Sequence, residues 1–139
     1  MALNTQLADA TANAQASTLS TLCNSGLVKV YDGTQPATAD TAIGAQVLGV
    51  TLTMNATAFA APSGGLLTAN AITGGVAVAS ITPTWFRLFK SDGTTVVMDG
   101  SVGSSGANMT LGAFTSGTTV TCSAFTHDVR NATTGLYWR

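Results

Sequence analysis

Few side chains in this chain could do chemistry, and most of them fall between Thr84 and Gly103, in TWFRLFKSDGTTVVMDGSVG. Arg87 and Lys90 precede Asp92 and Asp99 there, with Trp85, Phe86 and Phe89 around them. Two carboxylates in unlike environments, or a nucleophile beside a base, would make a catalytic site. The spacing supports a plainer reading. Period-two alternation over Trp85–Lys90 predicts a strand, with Trp85, Arg87 and Phe89 on one face and Phe86, Leu88 and Lys90 on the other. Either Phe86 and Leu88, or Trp85 and Phe89, then face the core. Ser91-Asp92-Gly93 and Asp99-Gly100 read as turns, where Asp side chains bond backbone groups. Arg87 and Lys90 would pair with Asp99 and Asp92 across the hairpin as exposed ion pairs, worth about 0–1 kcal/mol. The stretch is expected to be a structural hairpin without a catalytic residue.

The remaining reactive side chains are scattered. His127 is the only histidine, and Asp128 follows it. Neighbours on a strand point to opposite faces, so the two make no dyad with each other. No nucleophile-elbow motif accompanies them. Cys23 and Cys122 lack metal-ligand spacing and are expected as two buried thiols, which pack as small hydrophobes, a disulfide between them being the alternative. Ser63-Gly64-Gly65 and Thr73-Gly74-Gly75 lack the lysine and following helix of a phosphate loop. The expectation is therefore no catalytic, cofactor-binding or metal-ligating residue, and no cofactor.

Composition narrows the function classes. Of 139 residues, 8% are charged, none is Glu, and the formal net charge is −1. An ordinary soluble domain carries about 25% charge. No basic field is available for nucleic acid, so none is expected as a partner. The mean hydropathy of +0.34 argues for a folded chain, since disorder goes with low hydrophobicity and high net charge. Its surface must then consist of Thr, Ser, Asn and Ala, which is poor at keeping monomers apart. Such a surface reads as one made to be covered by other subunits. No apolar run approaches the roughly 20 residues of a membrane span. MALNTQLADA has neither the basic region nor the apolar core of a secretory signal, so neither membrane nor export is expected.

These residues need elements to position them. Leu3 to Cys23 is Ala-rich, free of Gly and Pro, and ends at Asn24-Ser25-Gly26, which predicts a helix with a small-residue face. Its Thr, Ser and Asn are weak helix formers, so it needs a packing partner. That partner is another subunit, with Leu3, Leu7 and Leu19 at the contact, or an open face of its own β domain. After Gly26 the period becomes two. Strands are predicted at Leu27–Tyr31, Gln46–Met54, Leu66–Ile72, Val76–Ile81, Trp85–Lys90, Thr94–Met98, Met109–Leu111 and Thr118–Val129. Many short strands at this spacing suggest an all-β fold, an antiparallel sandwich or small barrel-like domain with one N-terminal helix. The organisation expected is a helical arm over 1–26, a β domain over 27–129 and a tail over 130–139. Tyr137 and Trp138 in that tail are expected to dock on their own domain or on a neighbour.

The series Leu27-Val28-Lys29-Val30-Tyr31-Asp32-Gly33-Thr34-Gln35-Pro36, Ala69-Asn70-Ala71-Ile72, Trp85-Phe86-Arg87, Ser91-Asp92-Gly93 and Met98-Asp99-Gly100-Ser101-Val102-Gly103 resembles a family of small tailed-phage proteins. Members share the Ala-rich helix, the YDGTQP turn and the WFR…SDG…MDGSVG hairpin. The resemblance covers about residues 3–129. It implies a virion structural protein of the head, made in the bacterial cytoplasm. The function expected is a capsid decoration (cement) protein that binds the mature head as a homo-oligomer, a trimer being the commonest form. Its partners would be further copies of itself and the major capsid protein. A tail or head–tail joining component, and a host-binding β module or enzyme, are the weighed alternatives.

Overall fold

A computed structural model describes residues 5–130. One helix, α1 (Asp9–Cys23), precedes nine strands: β1 (Leu27–Tyr31), β2 (Leu48–Thr53), β3 (Leu66–Thr68), β4 (Gly75–Val76), β5 (Trp85–Phe89), β6 (Val96–Gly103), β7 (Met109–Thr110), β8 (Thr119–Val120) and β9 (Ala124–Asp128). The fold is mostly β, as expected. Seven strands form one sheet in the order β2-β1-β5-β6-β7-β9-β3, and β4 pairs with β8 alone.

Two expectations of architecture need correction. The sheet is mixed, because β6 and β7 run parallel, with Val102 opposite Met109 and Gly103 opposite Thr110. Parallel neighbours ordinarily need a long crossover. Here the pairing is so short that the Ser104–Asn108 loop suffices, with Gly106 turning it at φ +67°. Nor does the sheet close into a barrel, since β2 and β3 stand at its two ends. The outer side of β2 is instead occupied by the segment around β4. Thr73 and Thr53 exchange backbone hydrogen bonds of 2.8 and 3.1 Å, and the Val78 amide donates to the Gly49 carbonyl at 2.7 Å. Covering an edge in this way keeps it from pairing with foreign strands.

The helix begins later than expected, at Asp9 rather than Leu3. Ala8 is its N-cap and provides no side-chain cap, and Asp9 places a carboxylate in the first turn. The stop falls where expected. Ser25 adopts φ 54°, and the Gly26 amide donates to the Cys23 carbonyl at 2.9 Å. A Cβ at Gly26 would stand 2.5 Å from the Phe89 carbonyl oxygen, so only glycine lets the chain enter β1 here. One narrow stripe of α1, Ala12, Ala16 and Cys23, is buried. Asn13 and Asn24 tie the helix down by accepting from the Gly65 and Ala58 amides, both at 2.8 Å. Arg130, after β9, pairs with Asp9 at the helix start.

Alternation builds the core. Val28 lies opposite Leu52 and Leu88, and Val30 opposite Val50 and Phe86. All six are fully buried, together with Leu67 and Met109 from further along the sheet. Each such side chain contributes about 1.5–3 kcal/mol through burial. Phe125 of β9 packs edge-on against both Phe59 and Phe86, with centroids 5.3 and 5.0 Å apart. Phe86 and Leu88 are thus the pair in the main core. Trp85 and Phe89 are buried too, on the opposite face. Burial of every residue of β5 gives the sheet two covered faces at its centre.

Candidate functional site

The second face of the sheet carries the densest chemistry. Register places Tyr31 opposite Trp85, Lys29 opposite Arg87 and Leu27 opposite Phe89. On the other side of β5, Arg87 lies opposite Asp99 and Trp85 opposite Ser101. Asp99 and Gly100 therefore lie within β6 and do not form the turn expected from Asp-Gly. The strand reading wins because β6 pairs with β5 through this stretch, and Gly100 sits against Phe86, whose ring would be 2.5 Å from an added Cβ.

The Arg87–Asp99 pair is also not the exposed ion pair that was expected. Arg87 Nε–H donates to Asp99 Oδ1 at 2.7 Å and Nη2–H donates to Oδ2 at 2.8 Å. Each side chain is only 4% exposed. The bond to Asp99 holds the Arg87 guanidinium even more firmly protonated than usual. Tyr31 stacks on Trp85 with centroids 4.6 Å apart, and the guanidinium carbon lies 5.6 Å from the Trp85 ring. Burial raises the Tyr31 hydroxyl above its usual range, Arg87 opposing this and Asp99 adding to it. Lys29 extends over Phe89, its Nζ 4.6 Å from the ring centroid, which takes its charge away from Arg87.

What covers this face is the segment 32–47. Its ends meet: the Asp32 amide donates to the Val47 carbonyl at 3.2 Å, and the Val47 amide donates to Asp32 Oδ1 at 2.9 Å. Its length falls within the roughly 6–16 residues of an Ω-loop, a type that is frequently functional. Three side chains at the start of β5 hold it from beneath. Arg87 Nη1–H donates to the Thr41 carbonyl at 2.8 Å, and Nη2–H reaches the Thr38 carbonyl at 3.4 Å. Trp85 Nε1–H donates to the Asp32 carbonyl at 3.1 Å, and the Thr84 hydroxyl donates to that of Gly33 at 2.6 Å. Within the loop, Gln46 Nε2–H donates to the Thr34 carbonyl at 2.7 Å while Gln46 Oε1 accepts from the Gly44 amide at 2.8 Å. The arrangement fixes a loop in one conformation. It presents no nucleophile paired with a base.

The other sequence candidates stay apart. His127 pairs with Leu67 across β3 and β9 and is half-buried. Burial lowers its basicity, and Asp128 opposes this. Cys23 is fully buried, which pushes its thiol up to about 12. Cys122 is half-buried with its thiol raised by the same cause, and both cysteines are free. Asp92 does sit in a turn, as expected: its Oδ1 accepts from the Thr94 and Thr95 amides, both at 2.8 Å. Bonds from Thr95, then Thr94, hold its carboxyl well below the usual range. Among the described residues no three of His, Cys, Asp and Glu gather as a metal site, and no helix is long and apolar enough to cross a membrane. Of the expected interface residues, Leu7 is 39% exposed just before α1, and Leu19 packs partly buried against the core. Leu3, Tyr137 and Trp138 lie outside the described residues.

The hollows among the described residues include two small ones. One of about 90 Å³ is lined by Ala69, Ile72, Cys122 and Phe125 among others. One of about 240 Å³ lies on the loop, between Gly33, Thr34, Ala45 and Gln46. Both are smaller than the roughly 300–1,000 Å³ of a small-molecule site.

Sequence reasoning missed the loop as an organised unit and missed the burial of Arg87. A signal was present in the sequence. Trp85, Arg87 and Phe89 share one strand face, and an arginine between two aromatics on one face points to a covered face. Comparison with known proteins found no matching family model, no matching curated protein and no matching solved structure.

Proposed function

We propose that this chain is a structural protein of a tailed-phage virion, a capsid decoration protein that seats on the major capsid protein and stabilises the mature head. It acts as a homo-oligomer, most simply a trimer, and is made in the host cytoplasm. We also read the seven-stranded sheet and the β4–β8 ribbon as the two layers of a sandwich-like body.

The observation that carries the reading is the surface. The chain has a formal net charge of −1 and few charges of either sign. At one edge Val76, Val78 and Val47 are 61%, 66% and 45% exposed. The Val78 amide bonds the Gly49 carbonyl, two residues after Val47, which brings the three valines to the same part of the fold. A protein carrying this surface gains from quaternary burial and would associate poorly controlled on its own. The mechanism is thermodynamic. A protein that binds the expanded shell and not its precursor stabilises the expanded state by its differential affinity.

Counting copies tests the proposal. Hundreds of copies on DNA-filled heads, lost when the gene is deleted along with the heads' resistance to heat, are the expected result. A handful of copies confined to detached tails would overturn it in favour of a tail or joining role.

A further inference from the structure

The chain holds three Asp-Gly pairs, at 32–33, 92–93 and 99–100. This dipeptide is open to one spontaneous reaction, because glycine has no side chain to hinder it. The glycine amide nitrogen attacks the aspartyl Cγ, a carboxyl oxygen leaves as water, and a five-membered succinimide closes. Water then opens the ring. Opening at the main-chain carbonyl routes the backbone through the side chain as an isoaspartyl linkage, so one water leaves and one returns. The reaction needs a glycine nitrogen free to attack and a carboxyl able to lose an oxygen.

The fold treats the three pairs differently. Asp99 is 4% exposed, both its oxygens accept from Arg87, and Gly100 is paired with Phe86 inside the sheet. In the Ser91-Asp92-Gly93 turn the Gly93 amide donates to the Lys90 carbonyl at 3.0 Å, so the attacking nitrogen is engaged. Both oxygens of Asp92 are engaged too, by the Thr94 and Thr95 amides and the Thr95 hydroxyl, which favours the ionised carboxyl. Asp32 differs on both counts. The Gly33 amide donates to no acceptor among the described residues, and Gly33 is exposed. Of the Asp32 carboxyl, Oδ1 accepts from the Val47 amide at 2.9 Å, and Oδ2 accepts from no donor among the described residues. Negative charge develops on one carboxyl oxygen as the ring closes. A fixed N–H on that oxygen stabilises it, as the donors of an oxyanion hole do. The other oxygen is left to depart as water.

We propose that Asp32–Gly33 is a self-modification site of the folded protein, where an isoaspartyl linkage forms and unlocks the 32–47 loop with age. The linkage adds one methylene to the main chain at the point where the loop closes. Oδ1, which accepts from the Val47 amide, becomes a main-chain peptide oxygen. The carbonyl that accepts from Trp85 Nε1–H becomes a side-chain carboxylate. The two bonds that join Asp32 to Val47 cannot both be rebuilt in their present geometry. The proposal stands independently of any role in a virion.

The purified full chain is aged at neutral pH, folded and in urea, and then digested. Isoaspartyl groups are located by enzymatic methyl transfer to their carboxylate and by fragmentation mass spectrometry. In the folded protein we expect the mark in the peptide holding Asp32, preceded by a form lighter by one water, and none in the peptides holding Asp92 and Asp99. In urea all three peptides should gain it at comparable rates. Asp32→Glu keeps the carboxylate but has to close a larger ring, and should lose the mark. The modified form, separated by chromatography, should exchange its 32–47 amides faster than the unmodified form. A folded protein that marks Asp92 or Asp99 as fast as Asp32, or leaves Asp32 unmarked while the chain in urea marks it, overturns the proposal. Equal amide exchange in the two forms overturns the unlocking.

Discussion

Arg87 and Asp99 face each other in the register of β5 and β6 and meet through two parallel hydrogen bonds of 2.7 and 2.8 Å, each side chain only 4% exposed. The pair joins the centre of the sheet to a surface loop. Removing one partner leaves the other charge buried and uncompensated. Arg87→Ala or Asp99→Ala should each destabilise by about 3–5 kcal/mol, and the double change to Met and Leu by much less. Urea denaturation of Arg87→Ala, Asp99→Ala and the variant carrying both alanines measures the coupling directly. Additive losses would show that the two side chains act independently.

The core face of β5 depends on Phe86. Phe86→Ala should cost about 3–5 kcal/mol, because the ring is fully buried and packs against Phe125. Gly100→Ala should cost roughly 1–3 kcal/mol by the converse route, forcing a methyl group against the same ring. Midpoints of chemical unfolding check both. A neutral Gly100→Ala would mean that the ring can move aside.

His127 gives the fold an acid-sensitive element. Its folded basicity is lowered by burial, so the unfolded chain takes up the proton first as pH falls. Below an unfolded value of about 6.5, stability is therefore lost until the pH passes the lowered folded value, and above it the group contributes nothing to the pH dependence. His127→Gln should flatten the stability profile between neutral and mildly acidic pH. Unfolding midpoints measured across that window decide it.

Thiol chemistry should distinguish the two cysteines. Cys23 is fully buried with its thiol pushed up to about 12, so almost no thiolate exists at neutral pH. Cys122 is half-buried. A disulfide-exchange reagent should modify Cys122 slowly in the native protein and Cys23 only after unfolding, with intact mass after brief labelling as the readout. Equal rates at both positions would show that the helix end opens readily.

Much of this architecture was legible in the chain. The change of period at Gly26 marks the end of α1 because helices and strands repeat their apolar positions at different intervals. The stop is also local chemistry, Asn-Ser-Gly, where a left-handed residue and a glycine end the helix. Alternation grouped Val50 with Leu52 in β2 and Phe86 with Leu88 in β5 for the same reason, but in β5 it left open whether that pair or Trp85 and Phe89 face the main core. The short Ser91-Asp92-Gly93 turn was legible because Asp92 bonds its own neighbours. The Asp-Gly pair at 99–100 carries the same local signal and is a strand. Pairing with β5 and the bond to Arg87 outweigh local turn preference there, and no window of sequence contains both strands' register. Likewise, burial of Trp85, Arg87 and Phe89 depends on a loop that begins after Tyr31 and lies over β5, more than forty positions later in the chain. Alternation says which residues share a face; only the tertiary structure decides what lies on top of it. The parallel β6–β7 step and the covering of β2 by the segment around β4 belong to the same class, since both are contacts between strands whose partners local propensity does not specify.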